Sequence, residues 1–244
     1  MVVITRRTLD EGPGSGGLMS MREDLGVDPL TDARALVAER FPEATWAVLT
    51  GSVIGPYRTS GSDLDIVVLR QNGPGYRESL HFRGWPVELF VHTPERLAGF
   101  LKNELADRKP STHRMLAHGV PVVGDPSELR ERCAGVLASG PPPLTGAERD
   151  WLRYSLTDLL DDYQHAIDPG ERTVIGTAMW TETAQAALSF AGRWVSGGKW
   201  LLRELRQLDE DLAARWLAVR DAPAELAAEV LALGGGPLFD GYRA

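Results

Sequence analysis

Two carboxylates stand in a segment that should otherwise be apolar throughout. In Asp63-Leu64-Asp65-Ile66-Val67-Val68-Leu69 the aliphatic residues belong in a core, yet Asp63 and Asp65 interrupt them. Side chains two apart on a strand point to the same face, so both acids should project together. Leaving them unpaired in such surroundings is costly. A hard divalent cation relieves the cost, and Mg²⁺ typically takes one or two carboxylates together with substrate phosphates. One loop earlier lies Leu49-Thr50-Gly51-Ser52, at the end of another strand-like run. Gly51 lets the backbone approach a ligand closely. Its N–H, its neighbours' N–H groups and the Ser52 hydroxyl can cradle phosphate oxygens.

A third acid completes the set. Glu88 is alone among apolar neighbours in Pro86-Val87-Glu88-Leu89-Phe90-Val91. If that strand lies beside the first, three carboxylates converge on one face of a small sheet. Such a trio can hold two Mg²⁺ ions around a phosphoryl group undergoing in-line displacement. One of the acids can also accept the proton of an attacking hydroxyl.

The chain has 244 residues, room for one large or two small domains. No apolar run approaches the roughly 18 residues of a membrane span. Arg6 and Arg7 have no hydrophobic stretch after them, so the start does not read as a secretory signal. The single cysteine, Cys133, excludes an internal disulfide and reads as a packed helix residue. Together these features point to the cytoplasm. The formal charge is −8, and from Trp151 onward nine basic residues face fourteen acidic ones. A nucleic-acid-binding face usually carries a basic stripe, so this balance favours a small or cationic second substrate and disfavours nucleic acid without excluding it.

Residues 1–26, with Glu11-Gly-Pro-Gly-Ser-Gly-Gly17, read as a flexible tail in which Met19 or Met21 could be the true start. Helix is expected from Asp32 to Phe41, capped by Thr31 or Asp32. Strands are expected at Thr45–Thr50, Asp63–Leu69, Trp85–His92 and Val120–Val123. Thr93-Pro94-Glu95 should open a helix, followed by shorter ones at Thr112–His118 and Pro126–Leu137. Gly140-Pro-Pro-Pro143 reads as a linker. Beyond it, Trp151–Ile167, Arg172–Val195, Lys199–Leu208 and Ala213–Leu231 carry helical periodicity. The plan is a tail (1–26), an α/β (α+β) catalytic domain with a small mixed sheet (27–139), a linker (140–147) and an all-α helical bundle (148–244).

The ordered set Gly51-Ser52, Ser62-Asp63-Leu64-Asp65 and Glu88 in Val87-Glu88-Leu89 resembles the polymerase-β-type nucleotidyltransferase superfamily over roughly residues 45–92. An α/β half followed by a helical half is similar in plan to the small antibiotic nucleotidyltransferases acting on aminoglycosides or lincosamides. The resemblance implies an enzyme transferring a nucleoside monophosphate from an NTP, ATP first among them, to an acceptor hydroxyl with release of pyrophosphate. It implies Asp63, Asp65 and Glu88 as ligands of Mg²⁺, with Glu88 as base. It also implies Gly51, Ser52 and Ser62 as phosphate contacts. In the aminoglycoside enzymes a lysine of the helical domain reaches the triphosphate. Lys199, after Gly197-Gly198 and one of only three lysines, is the counterpart here.

The expected acceptor is a small hydroxylated molecule such as an aminoglycoside, and no membrane partner is expected. The alternatives are a tRNA- or protein-nucleotidylating enzyme of toxin–antitoxin type, or a catalytically degenerate nucleotide-binding partner protein. Several further residues carry a functional and a bland reading. Arg58 could touch phosphate or face solvent. Asp161, Asp162, Trp180 and Glu182 could line a pocket for a cationic acceptor, or belong to helix surface and core. His92 shares the strand parity of Glu88 and could lie at the site's edge. The five histidines show no metal-ligand spacing. Gly234-Gly235-Gly236-Pro237 lacks the Lys-Ser/Thr of a P-loop.

Overall fold

A computed structural model describes residues 28–243; the expected tail and its candidate start sites lie outside the described residues. Helix α1 (Pro29–Arg40) begins earlier than its apolar pattern implies, because Asp28 caps it by accepting from the Leu30 and Thr31 N–H groups, with Pro29 in the first turn. Asp32, expected as a cap, is instead buried and accepts from Arg83 and from the Trp85 indole, both at 3.1 Å.

Five strands follow: β1 (Trp46–Thr50), β2 (Leu64–Leu69), β3 (Tyr76–Phe82), β4 (Trp85–His92) and β5 (Val120–Val123). They form one mixed sheet in the order β3-β4-β2-β1-β5. Only the β2–β4 pair is parallel; the other three pairs are antiparallel. The sequence reading has no element at β3. This strand joins β4 through Arg83 and Gly84, whose φ values of 47° and 84° are the paired positive angles of a two-residue I′ hairpin. Leu64, Ile66 and Val68 of β2 and Val87, Leu89 and Val91 of β4 pack with Ala33, Leu36 and Val37 of α1. By strand alternation, Asp65 and Glu88 therefore stand on the opposite face of the sheet.

The remaining elements are helical: α2 (Pro94–Ala106), α3 (Ser111–His118), α4 (Ser127–Ser139), α5 (Gly146–His165), α6 (Pro169–Phe190), α7 (Lys199–Leu208), α8 (Glu210–Ala218) and α9 (Ala224–Gly234). A capping box between Thr145 and Glu148 starts α5, and Asp168 with Pro169 starts α6. The single helix expected over 213–231 is two, because Pro223 cannot continue a helix and the chain restarts after it. Leu156, Met179, Leu188, Leu205, Trp216 and Leu231 anchor a second core. No helix among the described residues is long and apolar enough to cross a membrane.

These elements form two compact units. The first runs to Pro94 and takes back Gly119–Pro126 with β5; the second comprises Glu95–His118 and the chain from Ser127 onward. The sequence reading groups α2, α3 and α4 with the sheet and puts the boundary at 140–147, whereas packing groups these helices with the helical unit. The proline run is tied down within that unit: the Arg108 guanidinium donates to the Pro142 carbonyl, and the Arg108 carbonyl accepts from the Val195 N–H at 2.9 Å.

Candidate functional site

The last residue of β1, Thr50, pairs with Asp65 of β2. There the chain leaves the sheet through Gly51, at φ 85° and ψ −166°, and enters a short 3₁₀ turn over Ser52–Ile54. That backbone region is open essentially to glycine alone. Space gives an independent reason: a Cβ on Gly51 would lie 2.1 Å from Asp65 Oδ2. The Asp65 carboxylate is thus laid directly against the Gly-Ser turn, and the two halves of the sequence motif meet.

The loop between the motifs is closed by its own serines. Ser52 Oγ and Ser62 Oγ are 2.8 Å apart, Ser62 Oγ accepts from the Thr59 N–H at 3.0 Å, and the Ser62 N–H donates to the Thr59 carbonyl at 3.0 Å. Ser62 is only 3% exposed. Its position is that of a pin holding the loop, with Ser52 the more accessible hydroxyl of the pair.

Asp63 directly precedes β2, and Asp65 lies within it. The parallel register pairs Asp65 with Glu88 of β4. One carboxylate oxygen from each of Asp63, Asp65 and Glu88 lies within 4.8 Å of the others, and all three residues are half-buried. Two unit charges at about that distance repel by roughly 3–4 kcal/mol at an effective dielectric constant near 20. A hard cation with oxygen ligands turns that repulsion into attraction, so the donor set fits Mg²⁺ chemistry.

Sequence reasoning missed one residue of this site. Arg77 on β3 donates from Nη2 to Glu88 Oε2 at 2.5 Å, and its guanidinium carbon lies 4.9 Å from the centre of the Phe90 ring. The signal that could have found it is the alternation Tyr76-Arg77-Glu78-Ser79-Leu80-His81-Phe82 ahead of Arg83-Gly84, a hairpin pattern that brings Arg77 to β4.

The other candidates fall in different places. Lys199 is in the second unit, exposed, as the first residue of α7 after Gly198 at φ 53°. Arg58 is exposed in the loop, 5.7 Å from the Trp85 ring. His92 is buried at the end of β4, paired with Leu69. Asp161 and Asp162 lie on an exposed face of α5, where Asp161 pairs with His165 at 3.3 Å. Trp180 is structural: it stacks on Trp216 with centroids 3.9 Å apart, and each indole N–H donates to the other's carbonyl at 2.7 Å. Glu182 accepts from Ser155 at 2.5 Å and lines a groove of about 560 Å³ along α6 with Thr177, Thr181 and Gln185. Cys133 is buried, and burial pushes its thiol up to about 11, the state of an inert packed cysteine.

No protein-family model matches the chain, and no curated protein matches it in sequence. Among solved structures, it is similar to a nucleotidyltransferase-like protein from Exiguobacterium sibiricum 255-15, with 12% identity and a TM-score of 0.46 over 85% of this chain and 75% of that one. At that distance the likeness says nothing of chemistry, which rests on the residues themselves.

Proposed function

We propose that this chain is a Mg²⁺-dependent nucleotidyltransferase of polymerase-β type. It moves a nucleoside monophosphate from an NTP, ATP by preference, to a hydroxyl of a small acceptor, with an aminoglycoside-like polyol first among the candidates. The observation that carries this reading is the meeting of Asp63, Asp65 and Glu88 at the start of β2, with Asp65 against the Gly51–Ser52 turn. In the reaction an acceptor oxygen forms a bond to the α-phosphorus, the bridging α–β P–O bond breaks, and pyrophosphate leaves. Glu88 takes the hydroxyl proton. The three carboxylates would hold the metal, which supplies charge neutralisation for the phosphates. Backbone N–H groups around Gly51 and the Ser52 hydroxyl orient the phosphate chain, while Ser62 keeps the turn in shape. From the family resemblance, Lys199 is proposed as a further charge partner of the triphosphate.

Thermal unfolding with each of the four NTPs, with and without Mg²⁺, tests the reading. A ligand that binds only the native state stabilises it by about 2.7 kcal/mol at a hundredfold excess over its Kd. We expect a shift that requires Mg²⁺ and disappears in Asp65→Ala, whose unliganded melting temperature is read alongside to check its fold. No shift with any nucleotide, or the same shift in the variant, would overturn the assignment.

A further inference from the structure

We propose that Arg77 is a resident counter-charge of the carboxylate cluster, which a divalent cation must displace from Glu88 in order to bind. The inference rests on the reading of Asp63, Asp65 and Glu88 as metal ligands, and concerns how readily that site fills. The Arg77 guanidinium bonds Glu88 Oε2 at 2.5 Å, while a carboxylate oxygen of Glu88 lies within 4.8 Å of oxygens of both aspartates. A monovalent cation bonded to one of three clustered carboxylates offsets part of their mutual repulsion. By the same charge it opposes a divalent ion approaching the same group. Arg77 and the metal therefore compete for Glu88.

The tie is built to be broken. The Arg77 side chain is 62% exposed on an edge strand, and its contact to Glu88 is a single Nη2–Oε2 bond. Exposed ion pairs of this kind contribute little, because water screens them and two long side chains lose freedom. The guanidinium also lies over the Phe90 ring, its carbon 4.9 Å from the ring centre, a contact separate from the bond to Glu88. A bound metal gains three carboxylates and displaces the Arg77–Glu88 pair. The pair thus sets the site's metal affinity below what the three acids alone would give.

The test is calorimetric titration of the full chain with Mn²⁺ and no nucleotide, at low salt, for wild type, Arg77→Met and Asp65→Ala. Methionine keeps an unbranched side chain of similar length and removes the charge; Arg77→Gln serves as a second neutral variant, and the position is exposed on an edge strand. Both neutral variants should bind Mn²⁺ about two- to fivefold more tightly than wild type, the range expected from losing one exposed pair. The gain should shrink at high salt, where exposed charges are screened. Unchanged or weaker Mn²⁺ binding in both variants, with wild-type binding still lost in Asp65→Ala, would overturn the role of Arg77 and leave the metal site standing. Absence of Mn²⁺ binding in wild type and variants alike would overturn the metal reading itself, and this inference with it.

Discussion

At the scale of single residues, Gly51 shows two constraints acting on one atom. Its φ of 85° with ψ of −166° is closed to side chains, and the space a Cβ would fill is held by Asp65 Oδ2. Gly51→Ala must therefore twist the turn or push the carboxylate away. The strained backbone alone should cost about 1–3 kcal/mol, visible as a lower urea midpoint. Displacement of Asp65 should also weaken Mn²⁺ binding in the same protein. Wild-type stability together with wild-type Mn²⁺ affinity would mean that the turn has a second conformation in which the glycine is dispensable. A loss of stability with unchanged affinity would separate the turn from the carboxylates.

At the scale of elements, the second unit joins α2 to α3 through a carboxylate that caps a helix not its own. Glu104 of α2 accepts from the Thr112 N–H at 2.6 Å and the His113 N–H at 3.2 Å, in the first turn of α3, and lies 2.9 Å from His113 Nδ1. Burial pushes its pKa up, but the bonds from His113 and Thr112 outweigh this and hold it below the ordinary 4.5. A depressed carboxylate contributes stability that is present above its unfolded value and lost as pH falls through its folded value. Wild type should therefore exceed Glu104→Gln in stability at neutral pH, with the gap closing below about pH 4.5. Chemical denaturation across that range checks it, and a pH-independent gap would remove the carboxylate's charge from the account. This cap was not legible in the sequence, because it joins residues separated by a loop. The strands that carry the acids were legible, because an acid in an aliphatic run is a local anomaly. Their pairing was left conditional, since register between β2 and β4 depends on strands distant along the chain. β3 was missed because an edge strand half in water alternates polar and apolar residues and carries no buried run. The break at Pro223 was in plain view, and helical periodicity on both sides of it concealed the restart.

At the scale of the whole molecule, the chain divides its proposed labour between units with separate cores. Asp63, Asp65, Glu88 and the Gly-Ser turn all belong to the first unit, while Lys199 belongs to the second. Lys199 is exposed and opens α7 behind two glycines. The role proposed for Lys199 predicts a specific dissociation. Lys199→Ala should leave Mn²⁺ binding without nucleotide at its wild-type value, because the proposed metal ligands are untouched. It should weaken binding of the metal–NTP complex by about tenfold, the lower end for a lost hydrogen bond to a charged group. The loss should diminish with added salt, as expected of an exposed cation acting on phosphate. Titrating wild type and variant with Mn²⁺ alone and then with Mn²⁺–ATP reads both values. Equal ATP affinity in the two proteins would overturn the role proposed for Lys199. Loss of metal binding in the absence of nucleotide would show instead that the substitution reaches the carboxylates through the fold.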